Sequence, residues 1–307
     1  MGYNRDLLRV CNEIRVEVRR SLMNRFSKLL LVGTALAFMA PAVAAPTLTF
    51  KFTTLNIPGS MQAYANGISE AGVIAGTYFD TVGIPHGFTL KGKTVTKIDD
   101  PKGLGTFAQG ISPNGSAIVG YYINSTGKNF GFLMKGKKFT DVLGPKGAFT
   151  DIAYGVNDGG EVVGLYVNSA SKKQGFRLLN GKYTTMDIGS SFTSAQGVNN
   201  SGDIVLYWAD SGGNFESSLY NGKTYKTINV PGALSSFAWG INNAGDVVYW
   251  FVDSTGYHGA LRLGSKYYSL NDPKGVAETY GYGLNDHRQI VGSYGLSPHL
   301  NGYEATY

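Results

Sequence analysis

The sequence predicts an all-β protein, a six-bladed β-propeller with four strands in each blade, and three observations carry this prediction. The 307 residues include 43 Gly, 20 Tyr and 16 Phe, a composition that suits strands and turns better than helices. One short motif returns six times at an almost constant interval. A strand-like segment ahead of the first copy matches a strand that the last copy lacks, so the copies can close into a ring.

Composition excludes several protein classes. Aromatic residues make up 13% of the chain and charged residues only 16%, which is unlike a disordered chain. A single cysteine, Cys11, excludes a disulfide scaffold and a multi-cysteine zinc or iron–sulfur site. Seven of the 27 basic and three of the 21 acidic side chains lie in residues 1–44, so residues 45–307 carry 20 basic and 18 acidic side chains, a net +2. We therefore expect neither a nucleic-acid partner nor an anionic membrane surface.

Residues 23–44 read as a secretory signal peptide. Arg25 and Lys28 precede an apolar run at residues 29–39, and small residues follow at 42–45. A basic flank, an apolar core of about 7–15 residues and an Ala-x-Ala site define such a signal, and cleavage after Ala44 fits best. The run is shorter than the ~20 residues that span a bilayer, so a membrane anchor is the less favoured alternative, and we expect no membrane span in the mature protein.

The signal divides the chain into three parts. Residues 1–22 are interpreted as an N-terminal extension that is wrongly included ahead of the start at Met23, with a cytoplasmic helix as the alternative. Residues 45–307 are predicted to form one propeller domain, cysteine-free and secreted or periplasmic in a bacterium. We expect this domain to be a monomer.

A glycine, an aliphatic residue and then serine or asparagine form the repeated motif. The intervals between successive copies are 43, 45, 42, 43 and 43 residues, and such regularity indicates a repeat architecture. The six copies are Gly67-Ile68-Ser69, Gly110-Ile111-Ser112, Gly155-Val156-Asn157, Gly197-Val198-Asn199, Gly240-Ile241-Asn242 and Gly283-Leu284-Asn285.

Each unit contains four short strands separated by turns. Examples are residues 108–111 for the first strand, 117–122 for the second, 131–133 for the third and 225–228 for the fourth. Asn, Asp and Gly fill the turns, where they supply positive φ and side-chain hydrogen bonds to the backbone. Four strands in about 43 residues leave no room for a helix and match one propeller blade.

The two ends of the chain predict closure of the ring. The last copy runs out at Tyr307 after its third strand, whereas residues 52–59 resemble the fourth-strand segment 225–232. The leading strand would therefore complete the last blade from its outer edge, and the Ala-x-Gly strand would lie innermost. Small residues suit the crowded axis, and they occur in all six copies: Ala65/Gly67, Ala108/Gly110, Ala153/Gly155, Ala195/Gly197, Ala238/Gly240 and Gly281/Gly283.

The motifs resemble the HAF-type extracellular repeat family of bacterial exported proteins. The residues that carry the resemblance are Gly110-Ile111-Ser112, Ile118-Val119-Gly120 and His86-Gly87-Phe88. The resemblance covers residues 45–307 and implies an extracellular or periplasmic repeat protein, generally predicted to be a propeller, with no assigned activity. The chain departs from the pattern at several positions. The histidine position of the motif holds histidine only at His86 and His258, and in units two to four it holds Phe130, Gln174 and Glu216. Arg288 replaces a turn glycine in the sixth unit.

An aromatic patch is the candidate ligand groove. Units four and five depart from the Val-Gly pattern of the second strand, and they hold all three tryptophans; local rules tend to break at functional sites. The alternative is that bulkier residues fill a wider wedge between blades. The candidate ligand-binding residues are Tyr207, Trp208, Trp239, Tyr249 and Trp250.

A second aromatic set repeats in every unit at the end of the second strand. A feature present in all six blades favours packing between blades, although a ring of stacking surfaces is an alternative. The set is Tyr78, Tyr122, Tyr166, Trp208, Phe251 and Tyr294.

Signals for catalysis and metal binding are weak. The chain has no Gly-x-Ser-x-Gly elbow and no His-Glu-x-x-His pair. Its four histidines lie apart, and the turn acids occur one or two to a turn, unlike a calcium loop. We therefore expect no catalytic residue, no metal and no cofactor. The turn acids are Asp158, Glu161, Asp203, Asp246 and Asp286.

The sequence thus favours an exported, non-catalytic binding or interaction propeller, with polysaccharide or another envelope protein as its partner. Two alternatives stay open. One is a lyase or hydrolase acting on polysaccharide or peptide in the central funnel, and the other is a structural repeat protein of the envelope or matrix.

Overall fold

A computed structural model describes residues 48–145, 148, 150–188, 191–274, 278–296 and 299–307. Within these residues every regular element is a β-strand, which confirms the predicted all-β class. The predicted extension at residues 1–22 and the predicted signal peptide at residues 23–44 lie outside the described residues, so both stay predictions.

The described residues form 24 strands in six four-stranded antiparallel sheets, one for each blade. The strands of blades 1 to 3 are β2 Gln62–Ile68, β3 Ile74–Phe79, β4 Pro85–Lys91, β5 Thr94–Ile98, β6 Gly105–Ile111, β7 Ala117–Ile123, β8 Asn129–Lys135, β9 Lys138–Val142, β10 Thr150–Val156, β11 Val162–Val167, β12 Lys173–Leu179 and β13 Lys182–Met186. Those of blades 4 to 6 are β14 Thr193–Val198, β15 Ile204–Ala209, β16 Phe215–Tyr220, β17 Tyr225–Thr227, β18 Ser235–Ile241, β19 Val247–Val252, β20 Tyr257–Leu263, β21 Lys266–Ser269, β22 Thr279–Leu284, β23 Gln289–Leu296, β24 His299–Thr306 and β1 Lys51–Thr54.

The leading strand completes the last blade, as the sequence predicts. The sixth sheet has the order β1-β24-β23-β22, with β1 outermost. Lys51 lies opposite Thr306, and the Leu55 N–H donates to the Gly302 carbonyl at 2.9 Å just beyond the strand. The strand is shorter than predicted, because Ile57 turns into the core of blade 1, where it is buried among apolar residues.

Asparagine side chains hold the turn between the first and second strands. In blade 4 the Asn199 Oδ1 accepts the N–H groups of Ser201 (3.1 Å) and Asp203 (2.9 Å), while Gly202 supplies a φ of 80°. Blade 6 repeats the turn around Asn285, but Arg288 takes the left-handed position with a φ of 62°. A side chain there costs roughly 1–2 kcal/mol relative to glycine, so this departure from the repeat carries local strain.

The first strands of successive blades contact one another in a closed ring around the axis. A side chain at the motif glycine would collide with the next blade: a Cβ on Gly110 would lie 2.4 Å from the Tyr154 carbonyl oxygen, and one on Gly240 would lie 2.6 Å from that of Tyr282. At the junction of blades 6 and 1, a Cβ on Gly283 would lie 2.8 Å from the Gly67 Cα. The motif glycines are therefore required by close backbone approach, which confirms that the Ala-x-Gly strands lie innermost.

The aromatic set at the end of the second strand packs against the third strand. The ring centroids are 5.2 Å apart for Tyr78 and His86, and 5.3 Å apart for Phe251 and His258. Tyr166 is buried and shares a hydrogen bond of 2.8 Å with Thr185. These contacts show that the aromatic set serves in packing, and that His86 and His258 take part in it.

Substituting the motif glycine tests the axial contact. We expect Gly110→Ala to lower the free energy of unfolding by roughly 1–3 kcal/mol, because the added methyl group must push blade 3 outwards. Chemical denaturation measures the change. Gly159→Ala is the matched control, since Gly159 is exposed and the nearest atom to an added Cβ is 3.3 Å away; its effect should stay within about 0.5 kcal/mol. Equal stabilities of the two variants would contradict the close approach.

Removing the leading strand tests closure. A chain that starts at residue 58 lacks β1 and leaves β24 as an unpaired edge, which invites association. It also loses the packing of Phe52 against Tyr303, whose ring centroids are 5.2 Å apart. We expect a lower Tm and aggregation relative to a chain that starts at residue 45, measured by calorimetry and light scattering. Unchanged melting would mean that the ring does not depend on β1.

Candidate functional site

Every first strand carries a β-bulge at the same place. In blade 1 the pairing with β3 passes from Ala65 to Gly67, and Asn66 is left without a partner in the ladder. A bulge re-aims the side chain of its extra residue, and here all six line the central channel. The bulge residues are Asn66, Gln109, Tyr154, Gln196, Trp239 and Tyr282.

The channel is narrow and uncharged. Its cavity measures about 60 Å³, which is room for several water molecules. In each blade the wall consists of the bulge residue, the motif glycine and the aliphatic residue that follows. None of these described wall residues carries a charged side chain, and burying an unpaired charge there would be costly.

The bulge residues divide into amides and aromatics. Blades 1, 2 and 4 contribute Asn66, Gln109 and Gln196, whereas blades 3, 5 and 6 contribute two tyrosines and a tryptophan. The Trp239 ring bridges the other aromatics, since its centroid is 5.9 Å from that of Tyr154 and 5.2 Å from that of Tyr282. Around the ring the channel thus offers both aromatic rings and amides, with the Gln196 amide between Tyr154 and Trp239.

Gln196 is the amide whose hydrogen bonding is incomplete. Its side chain is only 2% exposed, and its Nε2 donates to the Ser194 Oγ at 2.6 Å. Its Oε1 has no hydrogen-bond partner in the described structure. The Asn66 amide, by contrast, donates to the Ala108 carbonyl at 2.7 Å. An unsatisfied buried acceptor costs about 1–3 kcal/mol, so the Gln196 oxygen is a local cost to the stability of the fold.

Three of the five predicted site residues come together. Tyr207 and Trp250 are buried at 2% and 7% exposure and belong to one aromatic cluster with Trp239. The Tyr207 and Trp239 ring centroids are 6.2 Å apart, and Trp250 stacks on Phe237 at 3.6 Å. Of the five, Trp239 is the one that lines the described channel wall, with Tyr207 and Trp250 packed in the cluster behind it.

The other two predicted residues lie elsewhere, because neighbouring residues on a strand point to opposite faces. Tyr249 is fully buried in a cluster with Val205 and Ala238, and burial raises the pKa of its hydroxyl well above the usual value. The Trp208 Nε1 donates to the Ser218 Oγ at 3.2 Å, and its ring packs against a different cluster. Ligand binding by the five-residue patch as a whole stays a prediction.

Sequence reasoning missed the other bulge residues: Asn66, Gln109, Tyr154, Gln196 and Tyr282. The signal for them is the middle position of Ala-x-Gly, which varies among copies while both neighbours stay small. The bulge that turns this residue towards the axis cannot be recognised from the repeat alone.

Hydrogen bonds join adjacent blades at the end of the channel where the first strands finish. The Asn157 Nδ2 donates to the Asn199 carbonyl at 3.0 Å, and the Asn285 Nδ2 donates to the Ser69 carbonyl at 3.0 Å. The turn residues beyond them form a second set of contacts, in which the Asp158 Oδ1 accepts the Asn114 N–H at 2.9 Å. These carboxylates join blades, and the described residues contain no group of three or more His, Cys, Asp or Glu side chains placed for a metal ion.

Away from the channel, blade 3 buries a carboxyl group. Asp151 is 5% exposed, its Oδ1 lacks a partner within the described structure, and burial raises its pKa. Asp210 lies in a turn, where hydrogen bonds from Asn214 and Gly212 outweigh its slight burial and lower its pKa. The two carboxyl groups therefore affect stability with opposite signs.

Their substitution predicts opposite pH dependences. Because the pKa of Asp151 is raised on folding, its ionised form opposes the fold, and this cost grows as pH rises through the carboxyl range. Asp151→Asn should therefore raise the Tm at pH 7.5 and change it less at pH 4. Because the pKa of Asp210 is lowered on folding, its stabilisation is present near neutral pH and is lost on acidification. Asp210→Asn should therefore lower the Tm at pH 7.5, and thermal melts at both pH values measure each effect. A lower Tm for Asp151→Asn at pH 7.5 would contradict a buried carboxylate whose ionised form opposes the fold.

The fold defines the class of this protein: it is a six-bladed β-propeller. No family model matches the sequence, and no curated protein matches it, so the finer resemblance to the HAF-type repeat stays a prediction. Among described residues, no helix has the length and apolar character needed to cross a bilayer.

Solved structures confirm the propeller fold. TolB from Acinetobacter baumannii matches with a TM-score of 0.54 and 18% identity, over 66% of this chain and 52% of that one. The chain thus spans about half the length of that protein. A lectin of Aleuria aurantia in complex with Fucα1-6GlcNAc matches with a TM-score of 0.51 and 14% identity, over 82% of this chain and 93% of that one. SapL1 lectin in complex with α-methyl fucoside matches with a TM-score of 0.54 and 13% identity, over 81% and 93%. Identities this low show the fold alone.

Proposed function

We propose that this chain is an exported, non-catalytic binding propeller that recognises a neutral polysaccharide at its axial channel. The observation that carries the proposal is the ring of bulge residues, in which Trp239 lies near Tyr154 and Tyr282 and the amides of Gln109 and Gln196 alternate with these aromatics around the channel. Aromatic faces pack against the apolar C–H faces of sugars, and amides exchange hydrogen bonds with hydroxyl groups.

The lack of charged side chains in the described channel wall favours a neutral ligand. This described wall contains no Asp, Glu, Lys, Arg or His, so an anionic sugar would lose hydration without gaining a partner. The titratable side chains of this described wall are tyrosines, without a carboxylate or histidine that could act as a general acid or base. This supports binding without turnover.

The five residues of the aromatic patch predicted from the sequence have different roles in this proposal. Trp239 contacts the ligand, Tyr207 packs against the Trp239 ring, and Trp250 belongs to the same aromatic cluster. Trp208 and Tyr249 stabilise the neighbouring blade contacts. Lectins with the same fold bind fucosides, which supports a carbohydrate ligand. Export is supported by the signal-like residues 23–44 and by the resemblance to an extracellular repeat family.

A protein partner is the second candidate, and a separate observation favours it. We call the side on which each first strand begins the upper face; it also carries the turns between second and third strands. Seven of the eight exposed large hydrophobic side chains among the described residues lie on this face, in its loops and turns or, for Leu296, at the end of β23. The seven are Met61, Val82, Ile84, Leu104, Leu143, Leu234 and Leu296. Exposed apolar side chains gathered on one face are typical of a protein-docking surface.

Replacing the channel tryptophan tests the carbohydrate proposal. We expect Trp239→Ala to abolish binding on a glycan array while the ring stays folded, because its neighbours Tyr207 and Trp250 are held by other contacts. Truncating a tryptophan that dominates a binding site costs about 2 kcal/mol or more, so affinity should fall by about tenfold or more. Far-UV circular dichroism and the Tm confirm folding.

Trp208→Ala is the matched control, since Trp208 is also partly exposed but lies in a different cluster. If Trp208→Ala lost binding and Trp239→Ala kept it, the ligand site would lie on the outer part of blade 4 and not in the channel. Turnover of any bound glycan by the wild type would favour the enzyme alternative. Binding that depends on Leu104 and Leu234 but not on Trp239 would favour the protein partner.

A further inference from the structure

We propose that the propeller carries a second binding surface, away from the channel, that holds a linear anionic polysaccharide. This surface lies on the lower face, the side opposite the upper face, where the turns between third and fourth strands are found. It belongs to the neighbouring blades 1 and 2 and consists of five exposed lysines, which we call the lysine arc. They are Lys91, Lys93, Lys135, Lys137 and Lys138.

The ammonium groups of the lysine arc lack ionic partners. Within the described ranges, none of the five lysines takes part in an ion pair. Lysines of the upper face differ, since the Lys102 Nζ lies 2.8 Å from an Asp141 carboxylate oxygen and the Lys172 Nζ lies 2.6 Å from one of Asp187. The arc therefore presents positive charges whose three N–H donors are available to an anion.

Blade 2 places three of these charges in one tight hairpin. Lys135 lies opposite Lys138 in the ladder between β8 and β9, and Lys137 lies in the two-residue turn between them. In blade 1, Lys91 ends β4 and Lys93 lies in the equivalent turn. Like charges directly opposite one another destabilise a hairpin, and neither residues 91–94 nor residues 135–138 include an acid that would offset this cost. An anionic partner would remove the repulsion.

The turn acids of the lower face are kept apart from the lysine arc. They lie on the inner turns, between first and second strands, where they bond neighbouring blades. The Asp158 Oδ1 accepts the Asn114 N–H and the Asp286 Oδ1 accepts the Asn243 N–H, both at 2.9 Å. The small net charge of residues 45–307, which is +2, therefore conceals a basic region at the outer edge of blades 1 and 2.

Two features favour a polysaccharide over other polyanions. Residues 91–94 and 135–138 include no aromatic side chain, whereas proteins that bind single-stranded nucleic acid stack its bases on aromatic rings. The turn acids near the axis of the same face would repel a flat anionic membrane, which attracts basic segments but not acidic ones. A linear sugar chain with repeated charges can follow the two hairpins without meeting these acids.

The experiment titrates the folded protein with oligogalacturonates of two to ten units, which carry one carboxylate on each sugar, and with their methyl esters, which carry none. We expect the acids to bind, the esters not to bind, and affinity to rise with chain length as one chain contacts more lysines. Because salt screens exposed charges, affinity for the acids should fall by roughly tenfold or more between 50 and 200 mM salt.

Three results of this titration would overturn the inference. They are equal binding of acids and esters, no binding of the ten-unit acid at low salt, and binding of single-stranded DNA or of anionic lipid vesicles that is as tight as that of the ten-unit acid.

Two triple variants, each lacking three positive charges, separate the lysine arc from charge in general. The arc variant combines Lys91→Gln, Lys93→Gln and Lys137→Gln. The matched control combines Lys182→Gln, Lys223→Gln and Lys266→Gln, which are exposed lysines at the equivalent turns of blades 3, 4 and 5. We expect the arc variant to lose about tenfold or more in affinity for the ten-unit acid and the control to lose less than about threefold, with both Tm values close to that of the wild type. Equal losses would overturn the inference.

The channel variant separates this surface from the proposed function. Trp239→Ala should keep its binding of oligogalacturonates, because Trp239 lines the channel and the lysine arc lies on the outer hairpins. Loss of that binding in Trp239→Ala would place the anionic chain in the channel and overturn the inference. Binding of a neutral glycan that is lost in Trp239→Ala but kept in the arc variant would support two separate surfaces.

Discussion

The close approach of six backbones at the axis is the constraint on which the rest of this structure depends. Each first strand meets the next at a motif glycine, where a Cβ on Gly110 would lie 2.4 Å from a carbonyl oxygen of the next blade. Blades can converge to this degree only without a side chain there. The bulge lies directly before this glycine in all six blades.

The same constraint creates the channel and its chemistry. The bulge relieves crowding ahead of each glycine and turns one side chain per blade to the axis. The backbone positions are equivalent, so the six side chains are free to differ: three are amides and three are aromatic. A symmetric scaffold thus presents an asymmetric binding surface, with Trp239 on one side and Gln196 beside it. Closure by β1 keeps the six positions fixed relative to one another.

The sequence predicted the fold more fully than the site. Six copies of one motif and the match between residues 52–59 and 225–232 were sufficient for blade number, strand order and closure. The site depends on which face of a strand each residue takes, and closeness in sequence does not determine that. Tyr249 and Trp250 are neighbours in the chain but point to opposite faces. Trp250 therefore joins the aromatic cluster that includes Trp239, whereas Tyr249 packs between blades 4 and 5. Gln196 could not be found, because its position looks like an ordinary variable residue until the bulge is known.

Native-state hydrogen exchange at Leu55 tests the central claim of a closed ring most directly. The Leu55 amide donates to Gly302 across the junction between the leading strand and the last blade. A closed ring predicts that this amide exchanges much more slowly than an unprotected peptide, because the Gly302 carbonyl holds it. Exchange at the rate of an unprotected peptide, while β23 stays protected, would contradict closure.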